Sequence, residues 1–108
     1  MVARVWHGYT THANADAYEA MLKPELLPGL SSVKGFRGSY LLRRTAGDEV
    51  EFITIILWDS LEDIRAIAGP DYERAVVPEE RRAVLKRWDE KAVHYDVSAA
   101  RFPMGSPR

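Results

Sequence analysis

The chain has 108 residues, a formal net charge of −1 from 15 Lys+Arg and 16 Asp+Glu, 46% hydrophobic residues and no cysteine. This length accommodates one hydrophobic core, and so one domain. The balanced charge gives no reason to expect nucleic acid or an acidic membrane as a partner. The lack of cysteine excludes disulfides, thiolate nucleophiles and cysteine-based metal sites. No apolar stretch of signal-peptide or membrane-span length is present, so a cytoplasmic protein is expected.

The first part of the chain is predicted to be a strand followed by a helix. Residues 2–9, VARVWHGY, are rich in β-branched and aromatic types and form strand 1. Asn14 is a suitable N-cap, and after it apolar residues recur at spacings of three and four, as in a helix. Pro24 and Pro28 are expected to divide this segment into a helix and a second short turn.

A hairpin follows. Residues 36–45 and 50–58 are predicted to be strands 2 and 3, joined by the turn AGDE, in which Gly47 takes a positive φ. Strand 3 carries apolar residues at both odd and even positions, whereas a strand with one solvent-exposed face alternates apolar and polar residues. A second copy of the chain is therefore expected to cover the outer face of the sheet, as a homodimer formed sheet to sheet.

The second half is predicted to hold a helix, a surface helix and a last strand. Ser60 and Asp63 form a capping box that begins helix 2, which ends at Gly69-Pro70. The segment EERRAVLKRW is expected to be a short surface helix with its Val, Leu and Trp facing inward. Residues 91–98, KAVHYDVS, are predicted to be strand 4, and residues 100–108 a flexible tail after a domain of residues 1–99.

The resulting order, β-α-β-β-α-β, predicts an α+β fold of the ferredoxin-like type. Right-handed crossovers place both helices on one face of a four-stranded antiparallel sheet with strand order 4-1-3-2.

Four stretches resemble the antibiotic biosynthesis monooxygenase family of dimeric α+β barrel proteins: ARVWHG (3–8), GSYLLRRTAGDEVEF (38–52), LWDSLEDIRAIAG (57–69) and VHYDV (93–97). The resemblance implies a pocket between helices and sheet, and oxygenation of a polyphenolic substrate without flavin or metal. Trp58 matches the Trp that orients the substrate in that pattern. Haem-degrading relatives add an Asn on strand 1 and a His on helix 2, where this chain has Trp6-His7-Gly8 and Ala68.

Three residues are candidates for catalysis: His94, His7 and Trp58. In the predicted strand order, His7 and His94 are expected to face each other, and an imidazole is a suitable general base near neutral pH. Trp58 ends strand 3 on the far side, about 10–15 Å away at about 3.3 Å per residue. Each also has an ordinary interpretation, as a core aromatic or a strand-end His. Two histidines without a carboxylate cluster make a poor metal site, so no metal is predicted.

Candidate substrate-binding residues besides Trp58 are Trp6, Tyr72 in a segment that lies where a lid would be, and Arg37 beside strand 2. An Arg suits an anionic phenolate, although an edge-strand Arg also guards against aggregation. The hypothesis is a small cofactor-independent monooxygenase-like enzyme that acts on an aromatic or polyketide-type molecule. Two alternatives stay open. One is a haem-binding or haem-degrading protein that uses His94 or His7, and the other is a non-catalytic dimer that binds small ligands.

Overall fold

The computed structural model describes residues 1–26 and 30–101. Residues 102–108 of the predicted tail, and Pro28 of the predicted second turn, lie outside the described residues. The elements in chain order are β1 (Val2–Thr11), α1 (Ala15–Pro24), β2 (Phe36–Ala46), β3 (Glu49–Trp58), α2 (Leu61–Ala68), α3 (Glu79–Arg82), β4 (Leu85–Trp88) and β5 (Val93–Asp96). No helix within the described ranges is long and apolar enough to cross a membrane.

The strands form one antiparallel sheet in the order β2-β3-β1-β4, with β5 also paired to β1. This confirms the predicted order 4-1-3-2 and the ferredoxin-like class. The outer position is shared, because β4 pairs with residues 8–10 of β1 and β5 pairs with residues 2–5. The last strand therefore covers only half of β1.

The prediction that residues 79–88 form one surface helix is wrong. The helix is confined to Glu79–Arg82, and Leu85–Trp88 is a strand. The apolar spacing in LKRW suits a helix, but without this segment part of the edge of β1 would keep unpaired backbone N–H and C=O groups. Thr10, which is fully buried, adds a hydrogen bond from its hydroxyl to the carbonyl of Val84.

The two main helices begin where predicted, but only one has the expected cap. Ser60 accepts a hydrogen bond from the backbone N–H of Asp63 at the start of α2. Asn14 is the N-cap residue of α1, yet its side chain makes no capping hydrogen bond. Its own backbone N–H instead donates to the Thr11 hydroxyl at 3.2 Å. The cap was therefore predicted at the right position with the wrong interaction.

Both helices pack on the same face of the sheet. Tyr18 of α1 meets Phe52 of β3 edge to face, with ring centroids 5.0 Å apart. Ile64 of α2 packs with Trp58 and Val2 in a second cluster. Even-numbered positions of β1 and β3 thus face the helices, and odd-numbered positions face outward.

The outward face is apolar along its middle, as the composition of strand 3 predicted. Ile53 pairs with Leu42, and Ile55 pairs with Tyr40 on one side and Val5 on the other. Leu42 is 44% exposed and Tyr95 of β5 is 55% exposed. No described helix covers this face.

We expect Gly35→Ala to destabilise the fold more than Gly47→Ala. Both glycines have a positive φ, +86° and +65°, which costs a residue with a side chain about 1–2 kcal/mol. A Cβ on Gly47 meets nothing within 4 Å, whereas one on Gly35 would lie 2.3 Å from the Asp63 carboxyl carbon and disturb the cap of α2. We therefore expect Gly35→Ala to cost about 1 kcal/mol more. Urea unfolding of both variants measures the difference, and equal losses would contradict this account of the β3–α2 junction.

Candidate functional site

A cavity of about 600 Å³ lies between the sheet and the segments that follow the helices. Its size is within the range of about 300–1,000 Å³ that is typical of small-molecule sites. The wall includes Arg4, Ile56 and Trp58 from the sheet, Ile64 and Ile67 from α2, and Val76. Ile67 and Val76 are 55% and 87% exposed, so the rim of the cavity is apolar.

A smaller chamber of about 140 Å³ adjoins the first, because Arg4 and Ile56 line both. Trp6 and Tyr18 form part of its wall. The Trp6 indole N–H donates to the carbonyl of Asp89 at 2.7 Å, which fixes the ring. Burial raises the pKa of Tyr18 to about 12, so its phenol stays protonated at neutral pH and is no base.

Trp58 has an unsatisfied donor. The residue is 1% exposed and packs edge to face on Phe36, with ring centroids 6.0 Å apart. Within residues 1–26 and 30–101, its Nε1 is the buried side-chain polar atom without a hydrogen-bond partner. Leaving such a donor unpaired costs about 1–3 kcal/mol. Trp58 also forms part of the cavity wall, but because this nitrogen is itself buried, a ligand oxygen reaches it only if the ring or its neighbours move.

Arg4 lies on the inward face of β1, half-buried between the two chambers. Its Nη1 donates to the carbonyl of Tyr72 at 2.5 Å and contacts His94 Nε2 at 2.9 Å. No described carboxylate forms an ion pair with it, and burial lowers its pKa. Arg4 is thus a cation held by neutral groups inside a cavity.

The contact with Arg4 assigns the protonation state of His94. A guanidinium has only donors, so Nε2 of His94 accepts and the ring proton sits on Nδ1. Burial lowers the pKa of His94, and the charge of Arg4 lowers it further. The ring of Tyr72 lies edge-on to the imidazole, with centroids 5.1 Å apart. His94 is therefore neutral at neutral pH, with its lone pair directed at Arg4.

The prediction that His7 and His94 face each other is wrong. His94 pairs with Arg4 and points inward, whereas His7 pairs with Ile53 on the outward face. His7 Nδ1 lies 3.0 Å from the Glu51 carboxylate, which also binds Arg44. The sheet itself separates the two histidines, so His7 has no access to the cavity.

His94 lies on the same side of the molecule as Trp58, not the far side. Arg4 pairs with both His94 and Ile56, and Trp58 follows Ile56 by two residues. The predicted separation assumed that the last strand runs beside the C-terminal half of β1. That half pairs with β4, so β5 pairs near the start of β1.

Two other candidates have different outcomes. Tyr72 is half-buried, and its segment lies against the cavity region through its carbonyl bond to Arg4. Arg37 is exposed, pairs with Asp59 at 3.5 Å and is absent from the described cavity walls. Arg4, Arg74 and Arg81 line the chambers instead, and none of these was a sequence candidate. The sequence feature that could have identified Arg4 is its even-numbered position in β1. Val2 and Trp6, two residues before and after it, face the helices, so Arg4 faces them too.

We expect the protein to lose stability as the pH falls below about 6.5, in part because of His94. In the unfolded chain the imidazole of His94 is protonated near its ordinary pKa of 6.5, whereas in the folded protein its pKa is lower. The unfolded state then binds more protons, so acidification favours it. Urea unfolding at pH 7.5 and 5.5 measures the effect. His94→Gln keeps an acceptor for Arg4 and should reduce the pH dependence, whereas the exposed control His12→Gln should not. An unchanged dependence in His94→Gln would contradict the assignment.

Comparison with protein-family models and with curated proteins gives no match. Solved structures do match over nearly the whole chain. The haem degrader MhuD from Mycobacterium tuberculosis, with two haems in its active site, is 19% identical with a TM-score of 0.61, over 94% of this chain and 100% of that one. Two proteins provisionally assigned as antibiotic biosynthesis monooxygenases also match. The one from Bacillus cereus is 11% identical with a TM-score of 0.63, over 94% of this chain and 94% of that one. The one from Chloroflexus aurantiacus is 17% identical with a TM-score of 0.58, over 94% of this chain and 96% of that one. These identities show the fold alone: this chain has the ferredoxin-like α+β fold of MhuD and of these two proteins.

Proposed function

We propose that the chain is a cofactor-independent monooxygenase that acts on a planar, hydroxylated aromatic molecule in the cavity. The observation that carries this proposal is the buried, unpartnered indole N–H of Trp58 in the wall of a cavity that also holds Arg4. The aromatic and aliphatic walls suit a flat apolar ring system, and the two donors suit its oxygen atoms.

The first chemical step is removal of the substrate's hydroxyl proton. We propose His94 as the acceptor, because its ring is neutral and Nε2 carries the lone pair. His94 is not among the described wall residues, so the hydroxyl must take the place of Arg4 to reach this nitrogen. After the transfer the imidazolium repels the guanidinium, which turns to the new oxyanion and stabilises it.

The electron-rich anion then reacts with O₂. One ring carbon loses its hydrogen and gains one oxygen atom as a carbonyl, and the ionised hydroxyl becomes a second carbonyl. The other oxygen atom leaves as water with the ring hydrogen and the hydroxyl proton that His94 had accepted. The protein supplies position and charge, and no external reductant enters this balance.

Haem is the second candidate, because MhuD shares the fold. The described walls of the two chambers contain no histidine. The nearest inward-facing one, His94, directs Nε2 at Arg4 and would have to break that contact to bind iron. A haem iron and a substrate hydroxyl would thus both have to displace Arg4 from this nitrogen, and we derive no step through haem.

We further propose that the protein is a homodimer that buries the outward face of the sheet. Tyr40, Leu42, Val93 and Tyr95 are exposed there, beside Ile53 and Ile55. A contiguous apolar surface on a sheet favours an identical partner. A cytoplasmic location stays a prediction.

We expect His94→Ala to lower the rate of O₂ uptake by about 100-fold or more with a hydroxylated naphthalene or anthracene substrate, because it removes the proposed base. Trp58→Phe keeps an aromatic wall but removes the N–H, and should lower the rate about tenfold. The matched control His12→Ala changes an exposed loop residue and should leave the rate unchanged. An oxygen electrode measures all three variants.

Three outcomes would contradict this function. Uptake that is indifferent to His94 and Trp58 would place the chemistry elsewhere. Absence of uptake, together with a haemin Soret shift at one equivalent that His94→Ala abolishes, would favour the haem protein. Aromatic binding with neither activity would favour the non-catalytic dimer.

We expect Leu42→Asp to convert a dimer into a monomer in light scattering after size exclusion, because it places a charge in the proposed interface. Ile67→Asp introduces the same charge at a similarly exposed apolar residue, 55% against 44%, on the cavity rim instead. This control should remain a dimer. A wild-type monomer at micromolar concentration, or dissociation by both variants, would contradict a dimer through this face.

A further inference from the structure

We propose that Arg4 is a carboxylate receptor, and that the ligand of the cavity is an aromatic carboxylate. This inference deepens the proposed function by naming the substrate class. It rests on the proposed use of the same cavity, and concerns binding separately from oxygenation.

The first step of the argument is which Arg4 donors are already used. Nη1 serves both Tyr72 and His94, at 2.5 and 2.9 Å. Nε and Nη2 have no hydrogen-bond partner among the described residues. Both nitrogens are accessible to solvent. Among the described residues, the side-chain polar atom that is both buried and unpartnered is Trp58 Nε1, not a nitrogen of Arg4. Since Arg4 lines both chambers, its side chain lies where the chambers meet.

The second step is charge. The described walls of the two chambers contain three positively charged residues, Arg4, Arg74 and Arg81, and two negatively charged residues, Glu25 and Asp71. Glu25 pairs with Arg81, and no described acid pairs with Arg4. A half-buried guanidinium without a counter-charge is costly. One surplus positive charge in the walls suits a monoanionic ligand.

The third step is geometry. The Nε–Nη2 edge of a guanidinium presents two parallel N–H groups that match the two oxygens of a carboxylate. Nη1 is fixed by the Tyr72 carbonyl and His94, so this edge is pre-oriented before a ligand arrives. The apolar side chains of Ile56, Trp58 and Ile64 then surround the ring system that carries the carboxylate.

The experiment compares 2-naphthoate with 2-naphthamide, which have the same ring but differ in charge. Calorimetric titration at pH 7.5 measures both affinities for the wild-type chain and three variants. We expect the wild type to bind naphthoate about tenfold or more tightly than naphthamide. Arg4→Gln should abolish this preference and leave naphthamide binding nearly unchanged. Arg4→Lys keeps the positive charge but lacks the two parallel N–H donors of a guanidinium, and should retain only part of the preference for naphthoate.

Arg82→Gln is the matched control, because it removes the same charge from the exposed surface of α3 outside the described walls. It should keep the full preference for naphthoate. Equal binding of the two probes by the wild type, no binding of either, or an equal loss in Arg82→Gln would overturn the proposal. If Arg4→Gln does not fold, Arg4→Lys decides, since an undiminished preference in it also overturns the proposal.

This test is separate from the test of oxygenation, because neither probe carries a hydroxyl group. An Arg4-dependent preference without any O₂ uptake from hydroxylated aromatics would preserve the receptor and reject the oxygenase. O₂ uptake from uncharged phenols without a naphthoate preference would do the reverse.

Discussion

The guanidinium of Arg4 connects three parts of the chain that are distant in sequence: β1, the segment after α2, and β5. It does so through two neutral acceptors, the Tyr72 carbonyl and His94 Nε2. Burial lowers the pKa of Arg4, so keeping this half-buried charge without an ion pair carries an electrostatic cost. A fold selected for stability alone would replace Arg4 with an apolar residue, as at most inward positions of this sheet. Local costs of this kind are typical of positions retained for binding.

The same interaction explains the state of His94 and the position of the cavity wall. Burial and then the Arg4 cation lower the pKa of the His94 imidazole, and the ring of Tyr72 lies on another side of it. The wall segment that contains Tyr72 to Val76 is bound to the β4–β5 connection by two backbone hydrogen bonds. The N–H of Ala75 donates to the carbonyl of Glu90, and the N–H of Ala92 donates to the carbonyl of Glu73. The wall of the cavity is thus attached to the sheet edge by the main chain, independently of the side chains it presents.

Much of the fold could be predicted because its signals are local. The β-branched and aromatic composition of β1, the Gly47 turn and the Ser60 capping box each depend on a few neighbouring residues, and each was placed correctly. The strand Leu85–Trp88 could not be, since its apolar spacing suits a helix and only the unpaired edge of β1 makes it a strand. The site shows the same division. Trp58 follows from the strand–helix junction, whereas the partner of His94 depends on which half of β1 its strand pairs with. Arg4 was missed because its neighbours in space come from segments about 70 and 90 residues away.

The atom of Tyr72 that binds Arg4 is a main-chain oxygen, and this limits what a substitution at position 72 can change. Any residue at position 72 supplies the same carbonyl, so substitution there leaves the hold on Arg4 in place. What changes is the ring against His94 and the stacking of Arg65, whose guanidinium lies 5.3 Å from the ring centre. Position 72 is therefore free to retune the surroundings of the imidazole, while the charged centre beside it stays where it is. A substitution at position 72 thus alters the contacts of His94 while the hydrogen bond to Arg4 is kept.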